Sequence, residues 1–154
     1  MKGRTMVWQG DVLSVILAVV LGAVVGLERE IRGKAAGLRT NVLICLGAAV
    51  FTIISREMAG GQDSITRIAA QIVTGVGFLG AGAVIQDRGG VHGLTTAATI
   101  WLVASVGMAC GARLYLLAVI STLIAIVVLV GLGQLEKHLG RFGGKRKPQN
   151  ISKK

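Results

Sequence analysis

The sequence predicts an all-α, polytopic integral membrane protein that crosses the bilayer about five times, with its N-terminus outside and its C-terminus cytoplasmic. Three observations predict it. Only 16% of the 154 residues are charged and 53% are hydrophobic, with a mean hydropathy of +0.70, whereas a soluble domain carries about 25% charged residues. Five uncharged stretches recur, Val12 to Leu27, Val42 to Ser55, Ile68 to Gln86, Leu94 to Gly111 and Leu114 to Leu135, each near the ~20 residues of a spanning helix. Finally, the 17 Lys and Arg are unevenly shared between the two sides. With the N-terminus outside, only Lys2, Arg4, Arg56, Arg67 and Arg113 are external and the rest are internal, as the positive-inside rule requires.

The first stretch follows Lys2 and Arg4 but lacks a small-x-small cleavage site before Glu28, and four apolar segments come after it. An uncleaved first helix is expected rather than a signal peptide. Gly22 and Gly26 on this span have the GxxxG spacing of a close helix crossing. The second span opens behind Arg39, Thr40 and Asn41. The third carries Gly75, Gly77, Gly80 and Gly82, and the fourth carries Ala97, Ala98, Ala104, Ser105, Gly107 and Ala109. Small residues mark contact faces in a bilayer, so these two spans are expected at the centre of the fold. A Gly111-Ala112-Arg113 turn leads to the fifth, a Leu/Ile/Val run broken by Ser121, Thr122 and Ala125, expected to face lipid along most of its surface. Residues 1–136 are read as one transmembrane domain. The basic tail 137–154 contains the only proline, Pro148, and is expected to be disordered from about Gly143.

The net charge of +10 is mostly topogenic, which excludes nucleic acid as a partner; the tail can also touch anionic lipid. Cys45 and Cys110 are expected at opposite depths of the membrane, too far apart for a disulfide. Gly75-Val76-Gly77-Phe78-Leu79-Gly80 matches GxGxxG by letter, but it lacks the preceding strand and following acidic residue of a dinucleotide site. Packing glycines, or a locally broken helix lining a cavity, are the readings that remain.

Two polar groups stand out. Arg67, Gln71 and Thr74 recur at i, i+4 and i+7 along one face of the third span. Such an intramembrane stripe is costly and usually faces the bundle or water, and Gln71 is expected to bond a neighbouring helix. The denser group lies at the inner ends of the spans: Glu28, Arg29, Arg39, Asn41, Asp87, Thr95 and Thr96. It reads either as structural, with Glu28 paired to Arg39 and the threonines capping the fourth helix, or as a cytoplasmic-side site for an ion or polar group. Magnesium would want carboxylate oxygens, supplied here only by Glu28, Glu30 and Asp87. His92, between glycines, is expected in an exposed loop. No nucleophile, base and orienting group come together, so no enzymatic activity and no cofactor are expected.

Gly26-Leu27-Glu28-Arg29-Glu30, Gly37-Leu38-Arg39-Thr40-Asn41, the Gly75 to Gly82 run and Gly93-Leu94-Thr95-Thr96-Ala97-Ala98-Thr99-Ile100-Trp101 together resemble the MgtC/SapB family. The resemblance implies a five-helix inner-membrane domain, linked in some members to growth in low magnesium and survival inside macrophages. For the virulence-associated members, inhibition of the membrane ATP synthase has been proposed. Those members continue into a soluble C-terminal domain, so the membrane-only, SapB-like branch is the nearer match. The expected role is regulation of a membrane partner in magnesium or envelope homeostasis; the alternative is an ion or small-solute transporter or channel acting as an oligomer. Expected partners are the lipid bilayer, another membrane protein and further copies of this chain.

Overall fold

In a computed structural model, residues 2–58, 62–87 and 90–135 are described, with the backbone alone for 2–8, 62–66 and 85–87. The expectations for the tail from Lys137, including disorder from Gly143, fall outside the described residues. The helices are α1 (Lys2–Ile31), α2 (Leu38–Met58), α3 (Gln62–Gly82), α4 (Leu94–Gly111) and α5 (Tyr115–Val127), the last running on into a π-helical turn, Val128–Leu132. Four segments are long and apolar enough to cross a membrane: Gln9–Ile31, Leu38–Met58, Leu94–Gly111 and Tyr115–Leu135. Together they make the chain an all-α multi-pass membrane protein. The 21-residue α3 stands beside them.

Between α3 and α4 the expected plain connection is a small antiparallel hairpin, β1 (Ile85–Asp87) with β2 (Gly90–His92), pairing Ile85 with His92 and Asp87 with Gly90. Gly93 ends it with φ 89°, and a Cβ there would overlap the Ala83 carbonyl. Only glycine meets both demands cheaply. At the other end of α4, Arg113 takes φ 63° in the turn to α5.

The centre is α4 with α2, not α4 with α3. More than half of α4 is buried, 56%, and it touches α1, α2, α3 and α5. One buried cluster joins Ala18, Leu21 and Val25 of α1, Cys45 and Ala49 of α2, Val103, Val106 and Cys110 of α4, and Ala118 of α5. The two cysteines thus belong to one cluster as free thiols, correcting their expected separation. The reason is axial register: α4 starts below α2, so that Gly107 lies against the Cys45 carbonyl and a Cβ on Gly111 would sit 2.5 Å from the Ala49 carbonyl oxygen. Across the α1–α2 contact, a Cβ on Gly22 would come 2.8 Å from Cys45 Cβ, and one on Gly26 2.8 Å from Leu38 Cα. Small residues here allow backbones to approach, the main source of helix association in lipid.

On α3 the packing expectation does not hold for Gly75, Gly77 and Gly82, where a Cβ would meet nothing within 4 Å; Gly80 alone makes ordinary contact, 3.7 Å from Ala97. At about 100° per residue, Val76, Gly80 and Ala83 share the face turned to α4, and the other glycines point elsewhere. As expected, α5 presents mostly exposed Leu, Ile and Val and buries one stripe, Ala118, Thr122 and Ala125.

Away from the hairpin, a polar clamp joins α1, α2 and the α4–α5 turn. Asp11 pairs with Arg56 and, at 3.0 Å, with Arg113; Arg56 also donates to the Gly111 carbonyl at 2.7 Å. Tyr115 donates its hydroxyl to the Gly10 carbonyl at 2.9 Å and lies 3.0 Å from Ser14 Oγ. Hydrogen bonds to charged groups are worth ~1.5–3 kcal/mol, and Arg113 is partly open to solvent. Asp11→Ala is therefore expected to lower stability by about 2 kcal/mol, read from denaturant unfolding in detergent micelles; an unchanged midpoint would show the clamp to be idle.

Candidate functional site

The polar chemistry at the hairpin end of the bundle is organised by the C-terminal turn of α1. Gly22, Gly26 and Arg29 follow one another at i, i+4 and i+7, so the face that packs on α2 carries Arg29 inward as well. Arg29 is only 3% exposed. Its Nη2 donates to Thr96 Oγ1 of α4 at 3.0 Å, and its Nη1 lies 3.9 Å from Glu28 Oε2. Arg32 Nε, one turn on, lies 2.6 Å from Glu28 Oε1. That contact is an ion pair without hydrogen-bond alignment, since neither Glu28 oxygen is hydrogen-bonded among the described residues, and Arg29 Nε is likewise unbonded.

The expected Glu28–Arg39 pair is not formed: Glu28 points to Arg29 and Arg32, and Arg39 is exposed on the first turn of α2. Neither threonine caps α4. Gly93 occupies that position without a side-chain bond, Thr95 is exposed and Thr96 is buried against Arg29. Asn41 is fully buried and donates to the Ala36 and Gly37 carbonyls, both at 2.8 Å, which fixes the entry into α2; its Oδ1 has no partner among the described residues. Glu30 Oε2 accepts from the Leu38 backbone N–H at 2.9 Å. Asp87 is described only as the backbone end of β1, so its side chain falls outside the description. His92 is exposed on β2. The structure thus brings together Glu28, Arg29 and Thr96, leaves Arg39 apart, and gives Asn41 a backbone role.

Two clefts flank Arg29. One, of about 700 Å³, lies between the end of α1, Thr95 and the π-helical turn, with Arg32, Lys34, Val128 and Leu132 in its walls. The other, of about 490 Å³, lies between Lys34, the hairpin and the first turn of α4. Arg32 and Lys34 line this site and were missed by sequence reasoning; their i+3 and i+5 spacing from Arg29 was the available signal.

The stripe of Arg67, Gln71 and Thr74 is exposed, opposite the face of α3 that packs on α4. Thr74 bonds its own helix, to the Ala70 carbonyl at 3.0 Å, and the expected bond from Gln71 to a neighbouring helix is not formed among the described residues. Gln71 instead borders an apolar groove of about 500 Å³ between α2 and α3, floored by Ala48 and Val76.

A family model described as the MgtC family matches residues 15–138. The chain is 49% identical over 111 residues to Protein MgtC of Brucella abortus, covering 72% of this chain and 46% of that protein. To Protein MgtC of Salmonella typhimurium it is 42% identical over 131 residues, 85% of this chain and 56% of the relative. An uncharacterized protein of Synechocystis is 43% identical over 134 residues, 87% and 57% of the two chains. No solved structure matches. The chain spans about half the length of these curated relatives, and the matched region contains the whole Arg29 cluster, so that by its membrane helices and by the residues joining them this chain belongs to the MgtC family.

Proposed function

We propose that the chain is a regulator embedded in the cytoplasmic membrane, acting on another membrane protein in magnesium or envelope homeostasis. The observation that carries this reading is the state of three described carboxylates. Glu28 is committed to Arg29 and Arg32, Asp11 to Arg56 and Arg113, and Glu30 to the Leu38 backbone. An ion pathway uses intramembrane carboxylates that can exchange partners, whereas Asp11 and Glu30 serve joints between helices and Glu28 is held by the cations at its own helix end. Family membership supports the magnesium link, and the exposed stripe Val12, Ile16, Val20 and Val24 on α1 offers a helix face to a partner. In this reading α3 also crosses the membrane, which makes five spans, the N-terminus is external and the Arg29 end is cytoplasmic, in accord with the basic residues gathered there.

The second reading, an oligomeric transporter, draws on the open glycines and Gln71 of α3, which leave room for a further copy. Reconstitution separates the two. The purified chain in liposomes is expected to pass no magnesium or monovalent cation, while photo-crosslinkers at Ile16 of α1 and Leu123 of α5 capture one membrane protein in cells grown in low magnesium. Cation flux from the chain alone overturns the regulator. Sidedness is read in the same cells: a reporter after Lys154 should be cytoplasmic, and a Gly61→Cys variant should be labelled from outside, against the two native thiols, which are buried.

A further inference from the structure

We infer that the cleft between the end of α1 and the π-helical turn of α5 holds the phosphate headgroup of an anionic phospholipid. Its walls are of two kinds. Arg29, Arg32, Lys34 and Thr95 form one side, and Val128, Leu129 and Leu132 the other, around about 700 Å³. Arg29 and Arg32 share the single carboxylate of Glu28 and Lys34 adds a third cation to the lining, an excess of positive charge that favours an oxyanion. Basic pockets between membrane helices take lipid headgroups in this way.

Two further observations point to a ligand there. Arg29 is 3% exposed, and its Nε–H, a donor, has no acceptor among the described residues. Buried polar groups are nearly always satisfied, so this cluster is set up around a group that completes it. Nearby, the first-turn N–H groups of α4 have no acceptor inside their helix and start from Gly93, which offers no side-chain cap. The apolar wall decides between a lipid and a free phosphate. A soluble ion gains nothing from Val128 and Leu132, both exposed, whereas an acyl chain lies along them. The apolar wall is carried by the π-helical turn Val128–Leu132, a distortion often found at functional sites. A Cβ on Gly133, just beyond it, would come 2.7 Å from Arg32 Nη1, so the guanidinium lies close against the end of that turn.

The inference is independent of whether the chain regulates a partner or transports a solute. Its test is native mass spectrometry of the full chain released from nanodiscs that contain phosphatidylglycerol and phosphatidylcholine, with thermal unfolding as the fold control. Phosphatidylglycerol should be retained in preference to phosphatidylcholine. Lys34→Gln should weaken retention about fivefold, the effect of one cation near a membrane surface. Leu132→Trp, which fills the apolar side, should displace the lipid while the unfolding midpoint stays put. Arg39→Gln, a cation at the same end but outside the cleft, should change nothing. Equal retention of the two lipids, or equal sensitivity to Lys34→Gln and Arg39→Gln, overturns the site. Inorganic phosphate that raises the unfolding midpoint as much as phosphatidylglycerol does overturns the lipid assignment.

Discussion

Gly107→Leu is expected to abolish the folded bundle, while Gly77→Leu leaves it intact. Both glycines lie in apolar helices and both look like packing residues by composition. A Cβ at Gly107 would overlap the Cys45 carbonyl and come 3.0 Å from Ala48 Cβ, whereas a Cβ at Gly77 meets nothing within 4 Å. The obstacle is backbone, which cannot rotate aside, so α2 and α4 must separate. Even Gly107→Ala should destabilise. Alanine gains about 1 kcal/mol of helix propensity over glycine, but overpacking a close contact costs ~1–3 kcal/mol, and here it strikes the most buried helix. Leucine adds three more carbons along the same line and opens the cluster formed by Cys45, Val103, Val106 and Cys110. Yield of monodisperse protein in detergent, followed by thermal unfolding, checks the pair. Equal behaviour of the two leucine variants would mean that α4 does not occupy the centre.

The same contrast shows what the sequence made legible. Apolar length and basic asymmetry were enough for an all-helical multi-pass protein, because spanning a bilayer constrains composition more strongly than any soluble fold does. Close packing at Gly22 and Gly26 was also readable, since two glycines one turn apart leave a smooth strip on α1. The same spacing recurs in Gly107, expected among the contact residues of the fourth span, and Gly111, expected in the turn that follows it. Counting small residues on α3 misled because contact depends on angle, and Gly75, Gly77 and Gly82 fall outside the strip shared by Val76, Gly80 and Ala83. At the candidate site, residue types were readable and pairings were not. Arg39 is nearer the membrane face by composition, but helical phase turns Arg29 inward, and the α4 register sets Thr96 opposite it. That register depends on Gly93 and the hairpin, which a run of seven polar and small residues does not announce.

Removing both partners of the Glu28–Arg29 pair is expected to cost less than the sum of removing each alone. Glu28→Gln leaves Arg29, 3% exposed, without its nearest carboxylate, and an uncompensated buried charge costs ~3–5 kcal/mol. Arg32 cannot relieve it, being a second cation. Arg29→Met alone removes the donor to Thr96 but leaves Glu28 paired to Arg32, a smaller loss of about 2 kcal/mol for a charged hydrogen bond. In the double variant Glu28→Gln with Arg29→Met neither stranded charge remains, and methionine fills the guanidinium's place beside Thr96. Its loss should therefore fall short of the sum of the two single losses by at least about 1 kcal/mol, the coupling expected of residues in direct contact. Equilibrium unfolding of the four proteins in one detergent measures that coupling. Strict additivity would show that the two side chains act independently and that the short Glu28–Arg32 contact carries the cluster alone. The cycle also bears on function: a variant at Glu28 that changes activity must first be shown to be folded, because this carboxylate neutralises the arginine that joins α1 to α4 before it serves any ligand.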